Sequence, residues 1–187
     1  YFFRIHIILP LKISIYLVYF IIKVFVGNDN TFIHRSVRGF IIQMGGYRFV
    51  GGKSEKIPQD PAVKNEFSLS NTRGTIAMAK LGDDPNSATN EFFFNLGDNS
   101  ANLNNQNGGF TVFARVMDGG MPIWDAMAAL PRHNLGGAFT DLPLQNVLEG
   151  QTSVQLANLV SIARAKASPF YATSSNPLAF SAAMEGN

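Results

Sequence analysis

From Gly27 onward, apolar residues come in short runs cut by Gly, Asn and Asp, a rhythm that predicts strands joined by turns. Phe40-Ile41-Ile42-Gln43-Met44 ends at Gly45-Gly46, and Gly51-Gly52 follows soon after. Thr75 to Ala79 reads as a small-residue strand, and Phe92 to Leu96 as an aromatic one ending at Gly97-Asp98-Asn99. Phe110 to Val116 is rich in β-branched and aromatic residues and breaks at Asp118-Gly119-Gly120. This pattern argues for an all-β barrel or sandwich. One segment has helical period instead. Met121, Trp124, Met127 and Ala128 share one face, Pro122 lies in the first turn and Pro131 ends the segment. That Met/Trp stripe reads as core. Val154 to Ile162 alternates loosely and is expected to be a closing strand, whereas residues 164–187, rich in Ala, Ser, Pro and Asn, read as a surface tail.

The first 26 residues break the pattern. They hold Arg4, Lys12 and Lys23 but no acid, and all 13 carboxylates lie from Asp29 onward. Ile, Phe, Tyr, Val and Leu dominate this stretch, yet its longest uncharged run, Ile13 to Ile22, has ten residues. A membrane-spanning helix needs about 20, and Val24-Phe25-Val26-Gly27 makes a poor signal-cleavage site. Three readings stay open for residues 1–26: the first strand and helix of the domain, a targeting or membrane segment, or a misread stretch. The domain itself is placed at residues 27–163.

Composition narrows the chemistry. At 187 residues and 46% hydrophobic the chain is large enough for one domain with a buried core. With no cysteine it has no disulfide framework, thiol nucleophile or Cys-based metal site. A net charge of +2 is too small to argue for nucleic acid. His6, His34 and His133 have no metal-ligand spacing, and neither a phosphate-binding loop nor a Gly-x-Ser-x-Gly elbow is present. Asp83-Asp84, just before Pro85-Asn86, reads as a solvated turn. Hydrolases, kinases and metalloenzymes lose most of their support.

What remains is a set of four blocks. Phe32-Ile33-His34-Arg35-Ser36-Val37-Arg38-Gly39-Phe40-Ile41-Ile42-Gln43 comes first, and Ala77-Met78-Ala79 follows. Then come Asn90-Glu91-Phe92-Phe93-Phe94-Asn95 and Asn107-Gly108-Gly109-Phe110-Thr111-Val112-Phe113. In this order and at these separations they resemble the cyclophilins, the cyclosporin-binding peptidyl-prolyl cis-trans isomerases, and lean to the bacterial branch. The resemblance runs from about Asp29 to Leu130, continues weakly to Ile162, and is poor before Asp29.

The resemblance implies a mainly β fold, an eight-stranded antiparallel closed barrel capped by two helices, with no cofactor. It places Arg35, Gln43 and Phe40 in the catalytic positions. Ile41, Ala79, Glu91, Phe93, Leu103, Phe110 and Asn102 fall on the substrate groove. These residue types suit the reaction, because a fixed guanidinium can donate to a twisted amide while apolar side chains hold the proline ring. Taken alone, Arg35 would be a surface arginine, Phe40 and Phe93 core aromatics, and His34 a structural residue facing away from Arg35. Several positions depart from the family. Glu91 stands where Gln is usual and is expected either to pair with Arg35 or to accept a substrate N–H. Lys80 replaces an Asn found in many eukaryotic members, Arg38 a Pro, Phe110 a His, and Asn102 the Trp that contacts cyclosporin.

The expected activity is rotation of X-Pro bonds in folding chains. Two alternatives are a proline-binding module of the same fold without turnover, and a membrane-anchored chaperone-like domain resting on residues 1–26. Expected partners are proline-containing peptides and unfolded protein clients, with weak binding of cyclosporin. No nucleic acid, no membrane association and a monomer are expected. The compartment stays open with a slight lean to the periplasm or outside, since bacterial relatives often carry signals and this chain has neither Cys nor a starting Met.

Overall fold

In the computed structural model, residues 2–7, 30–116, 119–169 and 180–186 are described, with side chains for 30–116 and 119–162. Thirteen strands are seen there. They are β1 (Phe2–Ile7), β2 (Thr31–Phe32), β3 (Arg35–Val37), β4 (Ile41–Met44), β5 (Tyr47–Val50), β6 (Lys53–Lys56) and β7 (Thr75–Met78). The later ones are β8 (Phe92–Asn95), β9 (Val112–Val116), β10 (Arg132–His133), β11 (Leu142–Pro143), β12 (Ser161–Pro169) and β13 (Phe180–Gly186). Eleven of them form one sheet in the order β3-β4-β8-β7-β9-β1-β13-β12-β2-β5-β6, and β10 pairs with β11. Two α-helices, α1 (Ser100–Leu103) and α2 (Met121–Ala128), and three short 3-10 turns complete the described elements. The fold is mainly β.

Alternation along the central strands separates two apolar clusters. Ile42 and Met44 of β4, Phe92 and Phe94 of β8, and Ile76 and Met78 of β7 pack together with Phe113 and Trp124 in the main core. Helix α2 closes that core as its period predicts: Trp124 stacks on Phe94 with ring centroids 3.5 Å apart, and Ala128 is buried beside it. Pro122 occupies the first turn, where its missing N–H costs nothing. The opposite face of the same strands carries a second cluster of Ile41, Ala77, Phe93, Leu103 and Val112. Strand β8 is therefore buried on both faces, which is why it reads as a continuous aromatic run.

The C-terminal region departs from the expectations. Leu156–Asn158 is a 3-10 turn, and the strand expected from Val154 starts only at Ser161. The Asn158 amide explains the delay, since it donates to the carbonyls of Gln145 and Asn146 and holds the turn closed. Residues 164–169 and 180–186 are not tail. They belong to β12 and β13, which pair antiparallel, and β13 also pairs with β1. Strand pairing is made by backbone groups, so the small polar composition of this segment concealed it. Phe2–Ile7 lies between β9 and β13, which makes the start of the anomalous segment a strand of the sheet. Residues 8–26 of the anomalous segment lie outside the described residues, as do residues 170–179 of the expected tail.

Candidate functional site

Cross-strand register assembles the site. Arg35 of β3 lies opposite Gln43 of β4, Gln43 opposite Phe93 of β8, and Phe93 opposite Ala77 of β7. Since side chains alternate with period two, these residues share one face of the sheet. The result is a row that begins with a guanidinium, passes through an amide and ends on apolar surface. Ile41 and Phe93 form its buried floor with Leu103 from α1, and Phe40, Ala79 and Phe110 pack around them. The Phe110 ring meets Phe93 edge-on, with centroids 5.6 Å apart. Of the residues expected from sequence, Arg35, Gln43, Phe40, Ile41, Ala79, Phe93, Leu103 and Phe110 are thus brought together. Asn102 is exposed on α1, next to buried Leu103.

Arg35 keeps part of its side chain open, at 36% exposure, and its Nε lies 3.8 Å from Asp141 Oδ2. Asp141 also sits 3.4 Å from Arg132 Nη1, and its main-chain oxygen accepts from the Ser36 N–H. One carboxylate therefore stands between Arg35 and Arg132, and its main chain is bonded to β3, the strand that carries Arg35. No sequence signal pointed to Asp141, because 106 positions separate it from Arg35.

Glu91 has different partners from the one expected. Gln43 Nε2 donates to Glu91 Oε2 at 2.7 Å, and His34 Nε2 lies 3.4 Å from the same oxygen. The ion pair of Arg35 is with Asp141, so the expected Glu91–Arg35 pair is not formed. Burial pushes the Glu91 carboxyl up, but the hydrogen bonds from His34 and Gln43 and the charge of Lys56 outweigh it and hold the group below its ordinary value. His34, read from alternation as a residue facing away, is 2% exposed and reaches the site through Glu91, with its ring edge against Tyr47. It precedes β3 at the junction with β2, and burial alternates from it through Arg35 and Ser36 to Val37.

Lys80 braces the far end. Its Nζ donates to the carbonyl oxygens of Asn107 and Gly109 and stands 4.7 Å from the centroid of the Phe110 ring. Burial lowers its pKa, against a smaller opposing pull from Asp84. Beneath the apolar cluster runs a buried chain of amides. Asn99 Nδ2 donates to Asn95 Oδ1 at 2.7 Å, and Asn95 Nδ2 donates to Thr75 Oγ1 at 2.9 Å and to Asn71 Oδ1 at 3.2 Å. Asn99 and Asn71 in turn donate to the carbonyls of Phe40 and Phe110, the aromatic residues at the rim. A cavity of about 460 Å³ opens beside the row, lined by Gln43, Ala79, Glu91, Lys56 and Lys80 among others.

This arrangement offers a fixed cationic donor beside a hydrophobic trough and, among the described residues, no nucleophile in line with either. It suits binding and polarising an amide rather than cleaving one. The chain is similar to several known proteins. A family model described as "Cyclophilin type peptidyl-prolyl cis-trans isomerase/CLD" matches residues 22–149. Peptidyl-prolyl cis-trans isomerase B of Escherichia coli is 39% identical over 126 residues, 64% of this chain and 73% of that protein. A peptidyl-prolyl cis-trans isomerase of Acinetobacter baylyi is 40% identical over 111 residues, 58% of this chain and 56% of that protein. The crystal structure of a Cryptosporidium parvum cyclophilin-type isomerase aligns at TM-score 0.48 and 22% identity, covering 75% of this chain and 91% of that one.

Proposed function

The chain belongs to the cyclophilin-type peptidyl-prolyl cis-trans isomerases, and from that premise we propose how its groove turns the X-Pro bond. Amide rotation faces a barrier of roughly 18–20 kcal/mol, because the nitrogen lone pair is delocalised into the carbonyl. The two X-Pro isomers are nearly equal in energy yet exchange over tens to hundreds of seconds. Catalysis therefore requires only that the twisted amide be bound more tightly than the planar one. Arg35, charged throughout the physiological range, donates to the substrate carbonyl and to the nitrogen lone pair that localises on twisting. Phe40, Ile41, Phe93 and Leu103 hold the pyrrolidine ring, with Ala79 and Phe110 at the edge. Gln43 orients the guanidinium, and Glu91 acts on the site through Gln43.

The observation that carries this reading is the register Arg35–Gln43–Phe93, which sets the charged donor beside the apolar trough. A binding module without turnover would follow if Glu91 paired with Arg35 and weakened its hold on substrate, but Arg35 pairs with Asp141 instead. Substrates on this reading are exposed X-Pro segments of unfolded chains. Cyclosporin binds weakly because Asn102 offers no indole.

The eight-stranded closed barrel belongs to the same proposal. Its members are β4, β8, β7, β9, β1, β13, β12 and the run β2–β3. In support, Ile33 N donates to Val160 O on the β12 side while His34 N donates to Gln43 O on the β4 side. One run of chain thus bonds to strands from both ends of the series, and β5–β6 is an appended hairpin. The test of function is isomerisation of an X-Pro peptide by wild type and by Arg35→Ala. A loss of at least tenfold, about 1.4 kcal/mol of transition-state stabilisation, is expected with the folded signal intact. Wild-type turnover in Arg35→Ala removes the mechanism.

A further inference from the structure

We propose that Glu91 is a positioning residue: it locks the Gln43 amide with its NH2 group turned inward, so that Gln43 presents only its carbonyl oxygen to Arg35 and the groove, and buried His34 holds Glu91 to that task. The inference rests on the roles given to Arg35 and Gln43 above. An ionised carboxylate accepts hydrogen bonds and donates none. At 2.7 Å from Glu91 Oε2, the Gln43 amide can turn only its nitrogen inward, since an oxygen there would meet like charge. The neutral Gln usual at this position in the family could satisfy Gln43 in either orientation. Glu91 therefore removes an ambiguity that the commoner residue leaves.

Glu91 is itself held from several sides. His34 Nε2 faces the same oxygen at 3.4 Å, and His34 Nδ1 is buried without a hydrogen-bond partner. The ring proton belongs on Nε2, the nitrogen that has an acceptor. A Cβ at Gly46 would stand 2.5 Å from Glu91 Oε1, so the carboxylate lies against backbone that only glycine leaves open. The charged and titratable groups around it are His34 from the β2–β3 junction, Tyr47 on β5 and Lys56 on β6. With its nitrogen engaged, Gln43 offers its strand neighbour Arg35 an acceptor, which steadies the guanidinium while leaving its other N–H groups for the substrate.

The substitution Glu91→Gln tests this without changing the shape of the site. The single oxygen of the introduced amide can serve His34 and Gln43 together, but without the second carboxylate oxygen and its charge the NH2 group can equally turn to Gln43, so that side chain is no longer held in one orientation. We expect kcat to fall threefold or more with KM within twofold, measured by exchange NMR on an X-Pro peptide. Because Glu91 titrates below its ordinary value, wild-type kcat should hold through mild acid and fall once the carboxyl protonates, with the fold monitored in the same spectra. The Glu91→Gln profile should be flat over that range. The Gln43 side-chain NH2 signal should follow the same titration in wild type and stay still in Glu91→Gln, a readout that needs no turnover. Equal kcat in the two proteins, matching acid limbs, or a Gln43 signal blind to the titration would each overturn the proposal. Failure of the functional reading would look different: wild type and Arg35→Ala would be equally slow while the Gln43 signal still titrated.

Discussion

The substitution Asn95→Ala should destabilise the protein and loosen its groove together. Asn95 is fully buried on β8, on the same face as Phe93, and its amide is the hub of the Asn71–Asn95–Asn99 network. Truncation leaves Asn71 Oδ1 without this donor and one N–H of Asn99 without its acceptor, while Asn99 keeps the Phe40 carbonyl and Thr75 Oγ1 keeps Thr72 O. Two buried groups orphaned at about 1–3 kcal/mol each give about 2–6 kcal/mol. A water in the vacated space would recover part of that, leaving roughly 2–4 kcal/mol. For a chain of this length about 2–4 °C accompanies each kcal/mol, so Tm should fall by about 4–16 °C. Urea unfolding gives the free energy directly, with Asn105→Ala as control, because its amide bond to Ala101 O is exposed and should matter by less than about 0.5 kcal/mol. The network also anchors the Phe40 and Phe110 carbonyls, so KM measured on folded protein should rise in Asn95→Ala with kcat little changed. A destabilisation below about 1 kcal/mol, or an unchanged KM, would refute the view that this network supports the groove.

Lys80→Met should raise KM severalfold through a mobile 107–109 loop; in wild type KM should also rise on alkalinisation, at a pH below the ordinary lysine value because burial lowers the Lys80 pKa. The sign follows from the bond, since the charged ammonium makes the loop contacts and is lost as pH rises through that pKa, and the Met variant should show no such limb. Asp141→Asn should change kcat/KM by no more than about fivefold, because a partly exposed ion pair is worth roughly 0–1 kcal/mol; a hundredfold loss would show that Asp141 does more than anchor Arg35. Asn102→Trp should tighten cyclosporin, since an indole on exposed α1 adds a flat apolar face and an N–H. No gain by calorimetry would remove Asn102 from the groove.

Local pattern alone was enough to place several elements. The stripe Met121, Trp124, Met127 and Ala128 carries its period in its own residues, and Pro122 and Pro131 bracket it. Strands β4, β7, β8 and β9 were legible because apolar side chains must be buried wherever the chain takes them. The four sequence blocks brought Arg35, Gln43, Phe93 and Phe110 forward as a set, and strand register then put them on one face. The pairing of β12 with β13 stayed hidden because backbone hydrogen bonds leave no mark on an Ala/Ser-rich composition.

Which charge meets which was decided only in three dimensions. Glu91 was expected either to pair with Arg35 or to accept a substrate N–H, whereas Gln43 and His34 hold it, and Asp141 arrives at Arg35 from a distant loop. Ion pairs and amide bonds act over a few ångströms and are indifferent to sequence separation, so neither spacing nor composition can rank the candidates. Alternation places His34, like Ser36, on the buried side of the run from Arg35, but it could not show that the ring would lie against Glu91. Sequence by itself determined the apolar pattern, the turns and the residue types the reaction needs, because burial and chain geometry act locally. The partners of each polar group were decided by tertiary structure, since a buried donor takes whichever acceptor the packed strands bring within reach.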